Sequence, residues 1–338
     1  MNNEKISLDD TLFSVIGCGS IGKRHIANLQ TLGVKNISAV DLKERRRKEV
    51  ETKFGVSTFK DIEQAISAGT KVAFICTPTR FHLNNALIAA RAGCHLFIEK
   101  PVSNSLDGLD ELQDEIKRNK LITLIGCNFR FHPGLKYVKR LLEKQAIGKV
   151  TSVRAQFGQY LPDWHPWEDY RQGYSARLDL GGGVVLDRIH EVEYLRWLLG
   201  EIKEIYAIVD RISSLEIDTE DIAEILVRFS CGSIGSIHLD YIRPAYDCSM
   251  EIIGESGLIK WNFQDNSLQW YLTSEGQLNS MQWPNYDGNQ MYLEEIRHFL
   301  DALQGIDIIE HDIVEGIKDL KIAIAAKHSS KNKRVVII

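Results

Sequence analysis

Apolar residues in the first 127 positions come in short bursts separated by longer stretches with helical spacing. "LFSVIG" (Leu12 to Gly17) is a compact apolar run ending in glycine, the pattern of a strand buried on both faces. "IGKRHIANLQTLG" follows, with apolar residues at Ile21, Ile26, Leu29 and Leu32, a helical spacing closed by Gly33. "NISAVD", "VAFICT", "HLFIEK" and "LITLIGCN" read as further strands. Helices are expected over Glu44 to Phe54, over "HLNNALIAARAG", and over "SLDGLDELQDEIKRNK" with Ser105 as its cap. Strands alternating with helices of this length imply a parallel sheet with right-handed crossovers.

The pattern changes after residue 127. An amphipathic helix over about Leu135 to Gln145 leads into "KVTSVRAQFGQY", which alternates like a half-buried strand. "EIYAIVDRI", "DIAEILVRFSCG", "SIGSIHLDYIR", "SMEIIGESGLIKWNF" and "LQWYLTSEGQ" alternate in the same way and are joined by turn residues. They predict one large, mostly antiparallel sheet with one face left to solvent or to a partner. Helices over about Gln290 to Leu303 and Asp312 to His328 close the chain. The fold class is therefore α/β in two domains, 1–127 and 128–338.

Composition narrows the function class. The chain has 338 residues, 44% hydrophobic and 26% charged, with net charge −5, which argues against nucleic acid or a basic membrane surface as partner. "MNNEKISLDDTLFSV" lacks the layout of a signal peptide and no long apolar run exists, so a cytoplasmic protein is expected. The six cysteines never form C-x-x-C and read as reduced packing residues; no metal site is expected.

Three motifs carry candidate chemistry. "GCGSIG" places Gly17, Gly19 and Gly22 in G-x-G-x-x-G between a strand and a helix, with Asp41 ending the next strand. That is a dinucleotide fingerprint: the glycines permit a tight turn, close approach of a pyrophosphate and helix–strand packing, while the helix N-terminus offers free N–H groups. Asp41 suits a ribose 2′-hydroxyl and repels a 2′-phosphate, so NAD is favoured over NADP. Arg45, Arg46 and Arg47 could hold a phosphate, although their interleaving with Glu44 and Glu49 also reads as a solvated helix face. Ligands of such sheets bind beyond the strands' carboxyl ends. That places Ser20 and Ile21 in the glycine turn, Thr77, Pro78 and His82 in "CTPTRFH", Glu99 and Lys100 in "EKP", and Asn128 on the cofactor side. In "DLGGGVVLDRIHEVEYLRWLLG", Asp187 and His190 stand three apart, on one face if the segment is one helix, after a triple glycine that permits close approach. "YLPDWHPWEDYRQGYSARLDLGGG" crowds Trp164, Trp167, Tyr174 and Arg177 with His165, Tyr170 and Arg171 into one loop. Aromatic faces stack on sugars and arginines grip anions, but the same loop could be packing core or a subunit contact.

G-x-G-x-x-G, E-K-P at Glu99 to Pro101, and G-G-G-x-x-x-D-x-x-H ending at His190, in this order, resemble the Gfo/Idh/MocA family of oxidoreductases. The resemblance implies a Rossmann domain over 1–127, and over 128–338 a substrate-binding and oligomerisation domain whose open sheet makes dimer or tetramer contacts. It implies NAD(P)-dependent chemistry on a sugar, nucleotide sugar or cyclitol. Lys100, Asp187 and His190 take the catalytic positions, and Asn128 and Arg130 lie near cofactor and substrate. The aromatic loop resembles a subgroup associated with bacterial surface-sugar biosynthesis. Ile189 and Glu193 depart from the small residue and aspartate usual at their places, which bears on the substrate pocket. His190 is expected as general base, oriented by Asp187, with Lys100 stabilising charge on the substrate oxygen; Lys100 as the base is the alternative. The rival activities are an NAD-dependent glycosidase working by transient oxidation and a non-catalytic NAD-binding sensor.

Overall fold

The computed structural model describes residues 6–338, which form two compact units. The first contains the chain up to residue 128 together with 289–320; the second contains 129–288 and 321–338. The division is therefore not the single cut at 127/128 read from the sequence.

The first unit is a six-stranded sheet of β1 (Leu12–Ile16), β2 (Ile37–Val40), β3 (Ser57–Phe59), β4 (Thr70–Ile75), β5 (His95–Glu99) and β6 (Thr123–Gly126). Its order is β3-β2-β1-β4-β5-β6 and every pairing is parallel. This is the doubly wound order in which a dinucleotide lies where the strand sequence reverses, here between β1 and β4. The crossovers are α1 (Ser20–Thr31), α2 (Glu44–Phe54), α3 (Ile62–Ser67), α4 (His82–Arg91) and α5 (Leu109–Asn119). The central strands are apolar because helices cover both faces. One exception is satisfied internally: Ser14, fully buried in β1, shares hydroxyl hydrogen bonds of 2.7 Å with both Ser38 and Thr70. Ser105 does not cap α5, which begins four residues later behind Gly108 at φ +80°. The short β3 and α3 carry too few apolar positions to stand out in the sequence.

The unit is completed by α9 (Asn289–Leu303) from late in the chain. Its Ile296, Phe299, Leu300 and Leu303 enter the core of the parallel sheet. Phe74 and Phe97 stack at 4.6 Å, and Phe299 meets both rings edge-on at 5.8 and 5.7 Å. Offset and edge-to-face rings of this kind add to area burial. An amphipathic helix goes where its apolar face is covered, and for α9 that is the first unit. The next helix, α10 (Ile313–Asn332), begins in the first unit and ends in the second.

The second unit opens with α6 (Pro133–Glu143), two residues earlier than the expected start, with proline in its first turn. His132 caps it: Nδ1 accepts from the Gly134 amide at 3.0 Å and from the Trp261 indole at 3.3 Å. Both are donors, so Nδ1 carries the lone pair; burial correspondingly pulls this histidine down to about 4. β7 (Val150–Gly158) follows, then the short α7 (Val184–Asp187) and α8 (His190–Leu199). The nine-stranded sheet adds β8 (Ile202–Asp210), β9 (Ile222–Phe229), β10 (Ile234–Asp240), β11 (Asp247–Gly254), β12 (Gly257–Asn262), β13 (Ser267–Leu272), β14 (Gln277–Gln282) and the terminal β15 (Val336–Ile337). The order is β14-β13-β12-β11-β7-β10-β9-β8-β15, with only β7 and β10 parallel. Alternation is as expected: Ile205, Ala207, Ile225, Val227 and Ile237 are buried, while Ile208, Leu226 and Ile234 lie exposed on the opposite face.

Phe299→Ala should lower unfolding free energy by about 3–5 kcal/mol in a denaturant titration, the usual cost of emptying an aromatic core site. A loss under about 1 kcal/mol would mean that α9 is not part of this core.

Candidate active site

The carboxyl end of β1 turns through Gly17 at φ +102°, a conformation that side chains rarely adopt. A β-carbon there would sit 2.6 Å from the Cys76 carbonyl oxygen, and one on Gly22 would collide with the carbonyl oxygen of Gly17. These two glycines are thus required by the chain's own packing. Gly19 differs: its β-carbon position has nothing within 4 Å. Gly19 is also the N-cap of α1, with no side-chain cap and no acid in the first turn, which begins with exposed Ser20 and half-buried Ile21. An open, uncapped, electropositive helix start suits a pyrophosphate.

Asp41 follows β2 with its carboxylate nearly buried. It accepts from the Cys18 amide at 3.0 Å and the Lys43 amide at 2.8 Å, and Arg46 stands 3.5 Å away. Two amides hold the group in place and leave acceptor capacity for a diol. Arg47 donates to the Asp41 and Leu42 carbonyls at 2.7 and 3.1 Å. With Glu44 paired to Lys48 and Glu49 to Lys23, the basic run reads as a helix surface. Burial pushes the neighbouring Cys18 thiol up to about 12, so it is a packing group.

At the ends of β4 and β5, Thr77 and Pro78 are half-buried and His82 is buried. The His82 ring bridges the Thr77 carbonyl at 2.7 Å and the Pro101 carbonyl at 2.8 Å, linking the two strand-end turns. Burial draws this ring toward its neutral form while the two carbonyl acceptors oppose that. Glu99 turns inward and meets Nε2 of the fully buried His25 at 2.6 Å. Lys100 follows at the strand end, half-buried, and its bond to Pro101 is cis. The charges of both Glu99 and Lys100 act on the His82 ring, which lies between the two strand-end turns. Asn128 is buried in the turn after β6.

In the second unit, Asp187 and His190 are not on one helix. α7 ends at Asp187, Arg188 leaves helical geometry at φ −102° ψ 40°, and α8 starts at His190. Both residues are buried. Asp187 accepts three hydroxyls: Tyr174, Ser175 at 2.7 Å and Tyr241 at 3.0 Å. Burial together with the Asp187 charge raises the Tyr241 hydroxyl well above its usual range. The His190 ring lies 4.9 Å from Phe129. The triple glycine serves this arrangement from within: a side chain on Gly182 would strike the Tyr174 carbonyl, and one on Gly183, at φ +108°, would strike the Glu220 carboxylate. The close approach expected there is made by the chain itself.

The remaining candidates are dispersed. Arg130 pairs with Glu193 and lies over Trp197 at 5.5 Å. Trp164 packs between Phe157 and Tyr241, at 5.8 and 5.3 Å, so it belongs partly to the core. Trp167 is 74% exposed. Tyr174 is committed to Asp187, and Arg177 to Asp179 at 2.5 and 2.9 Å. A groove of about 580 Å³ beside this loop is lined by Arg171, Arg177 and Arg211 but also by Glu216 and Asp218. Ser175, Tyr241 and His25 were not read as site residues. The only signal for His25 is its place one helical turn after Gly22; Ser175 and Tyr241 have none. Among the described residues no group of three His, Cys, Asp or Glu could hold a metal, and no helix is long and apolar enough to cross a membrane.

Comparison with known proteins bears on the family and the fold. Residues 12–127 match the model of the oxidoreductase family with an NAD-binding Rossmann fold, and residues 135–260 match the GFO/IDH/MocA C-terminal domain. The chain is 30% identical to Myo-inositol 2-dehydrogenase of Thermotoga maritima, over 95% of this chain and 97% of that one. It is 26% identical to scyllo-inositol 2-dehydrogenase (NAD(+)) of Bacillus subtilis, over 94% of each. In fold it resembles levoglucosan dehydrogenase in complex with NADH, at a TM-score of 0.87 and 21% identity over 97% of this chain and 99% of that one. An uncapped glycine turn before α1, a carboxylate at the end of β2 and a kinship running the length of the chain lead to one assignment: the protein belongs to the GFO/IDH/MocA family and is an NAD-dependent oxidoreductase.

Proposed function

We propose that the protein oxidises a secondary alcohol of a neutral sugar or cyclitol to the ketone, or runs the reverse reduction. The observation that carries this reading is the near full-length similarity to an inositol dehydrogenase, in a chain whose Asp187 is buried and held by three hydroxyls. Bound NAD supplies the hydride acceptor. The hydroxyl proton must then go to the chain, and His190 takes it. Asp187, fixed by Tyr174, Ser175 and Tyr241, orients the imidazole and stabilises the imidazolium. Lys100 donates a hydrogen bond to the substrate oxygen and offsets its developing negative charge. Gly17, Gly19, Gly22 and Asp41 hold the dinucleotide, with Glu99 and His82 fixing the turns beside it.

A nucleotide sugar of surface-polysaccharide synthesis is the second reading, supported by the exposed Trp167 and the arginines of its loop. The pairing of Arg171, Arg177 and Arg130 with carboxylates of the chain favours the neutral substrate. For self-association, the open face of the nine-stranded sheet exposes Ile208, Leu226, Ile234 and Leu278, the composition of a covered surface, and we propose that a homodimer or homotetramer forms there.

A panel of myo-inositol, scyllo-inositol, levoglucosan and UDP-sugars, followed by NADH absorbance, should show turnover on a neutral polyol. Cleaved glycoside without net NADH would replace this reading with the glycosidase. Lys100→Met and His190→Gln should each lower kcat by about 10²-fold or more while NAD affinity holds; a variant that turns over at the wild-type rate removes its residue from the mechanism.

Asp41→Ala should shift the NAD-to-NADP affinity ratio by about 10- to 100-fold toward NADP, the worth of a hydrogen bond to a charged group. An unchanged ratio would exclude Asp41 from the ribose.

Replacing Ile208 and Leu226 together by Glu should convert an oligomer to a monomer in light scattering. An unaltered mass would place the contact elsewhere.

A further inference from the structure

The two proposed proton-handling residues flank a helix break that contains no glycine or proline, the usual causes of one. A buried ion pair spans that break. Arg188 follows Asp187 and Glu191 follows His190, and the Arg188 Nη2 donates to the Glu191 Oε1 at 2.9 Å. Their side chains are 12% and 0% exposed. The guanidinium lies 3.5 Å from the centre of the Phe157 ring and 5.6 Å from that of Phe129, the ring that also contacts His190. Cys248 approaches the same carboxylate at 3.9 Å, and Tyr246 and Tyr194 share its surroundings. Burial and the Glu191 charge hold the Cys248 and Tyr194 protons in place.

A buried pair of this kind contributes little net stability over an apolar replacement, since desolvation offsets most of its attraction. It does fix geometry. Had the helix run on, Arg188 would have been carried around by a regular turn. Its ψ of 40° accompanies a placement in which the cation lies over two aromatic faces, while its contact with Glu191 keeps the i,i+3 spacing that spans the break. We infer that the Arg188–Glu191 pair is a positioning device, which locks the α7–α8 break and thereby sets His190 relative to Asp187. This inference rests on the proton-handling roles proposed above. Neither residue need touch substrate; they act through the backbone they clamp and through Phe129.

The test separates positioning from stability. Arg188→Met/Glu191→Leu removes both charges at similar volume, whereas each single change leaves the other charge buried alone. The double variant is expected to melt closer to wild type than either single variant and to bind NAD as wild type does. Its kcat on the sugar or cyclitol that the wild type turns over should nevertheless fall 10-fold or more, with a displaced acid limb in the pH profile of kcat/KM. Recovery of melting temperature together with kcat within about 2-fold of wild type would overturn the inference, because the pair would then be structural only. If the double variant does not fold, Arg188→Lys decides: it keeps the charge but lacks the planar fork. A folded Arg188→Lys protein with a several-fold lower kcat supports the clamp, and wild-type kcat overturns it. Should the wild type turn over nothing on the panel, the oxidoreductase substrate reading is what fails. The clamp is then read from the ring signal of His190, assigned by its loss in His190→Gln. One sharp signal in wild type that splits or broadens in the double variant supports it, and one sharp signal in both overturns it.

Discussion

A carboxylate removed from water must be given donors, and this requirement shapes each chemical centre of the chain. Asp41 receives two amides, Glu99 a histidine, Asp187 three hydroxyls and Glu191 an arginine. Each donor comes from a different stretch of chain from the one that carries the acid or lies across a turn from it. The acids therefore tie strand ends, turns and helix starts together. Asp41 anchors the glycine turn through Cys18, Glu99 anchors β5 to α1 through His25, and Asp187 anchors α7 to the loop at Tyr174 and to the end of β10. Losing any one acid would free two segments at once.

Much of this framework was legible because it depends on periodicity and on glycine. The apolar bursts gave the parallel strands, and alternation gave the second sheet with its exposed row at Ile208, Leu226 and Ile234. The dinucleotide turn was readable since two of its glycines are demanded by backbone contacts that no other residue permits. Less was legible where long-range packing decides. The return of α9 to the first core depends on Phe299 meeting Phe74 and Phe97, residues far away in the sequence that nothing local connects to it. The partners of Asp187 are equally hidden: Tyr241 stands at the end of a strand and shows no signal of its own.

The helix break shows a different limit. Spacing put Asp187 and His190 on one face if the segment was one helix, and neither glycine nor proline interrupts the run from Val184 to Leu199. On the inference drawn above, the interruption answers a tertiary demand, the placing of the Arg188 guanidinium over the Phe157 ring. Local propensity is a weak force, worth tenths of a kcal/mol per residue, and a buried cation without a partner costs several. The backbone therefore yields to the cation, and the helix breaks.

The same comparison of magnitudes bears on what the protein binds. The sequence offers Arg130, Arg171 and Arg177 as grips for an anionic substrate, and all three pair with acids of their own chain. Arg130 is the informative one. Its partner, Glu193, is fully buried and belongs to α8, three residues after His190, so this guanidinium is already engaged by the chain's own acid. For an anionic ligand to recruit Arg130, it would have to leave Glu193 buried without its cation, a penalty comparable to the whole gain from one new ion pair. A neutral polyol makes no such demand. It needs donors and acceptors in fixed places, and on the proposed reading the start of α8, flanked by two buried charge pairs, is where they would be found.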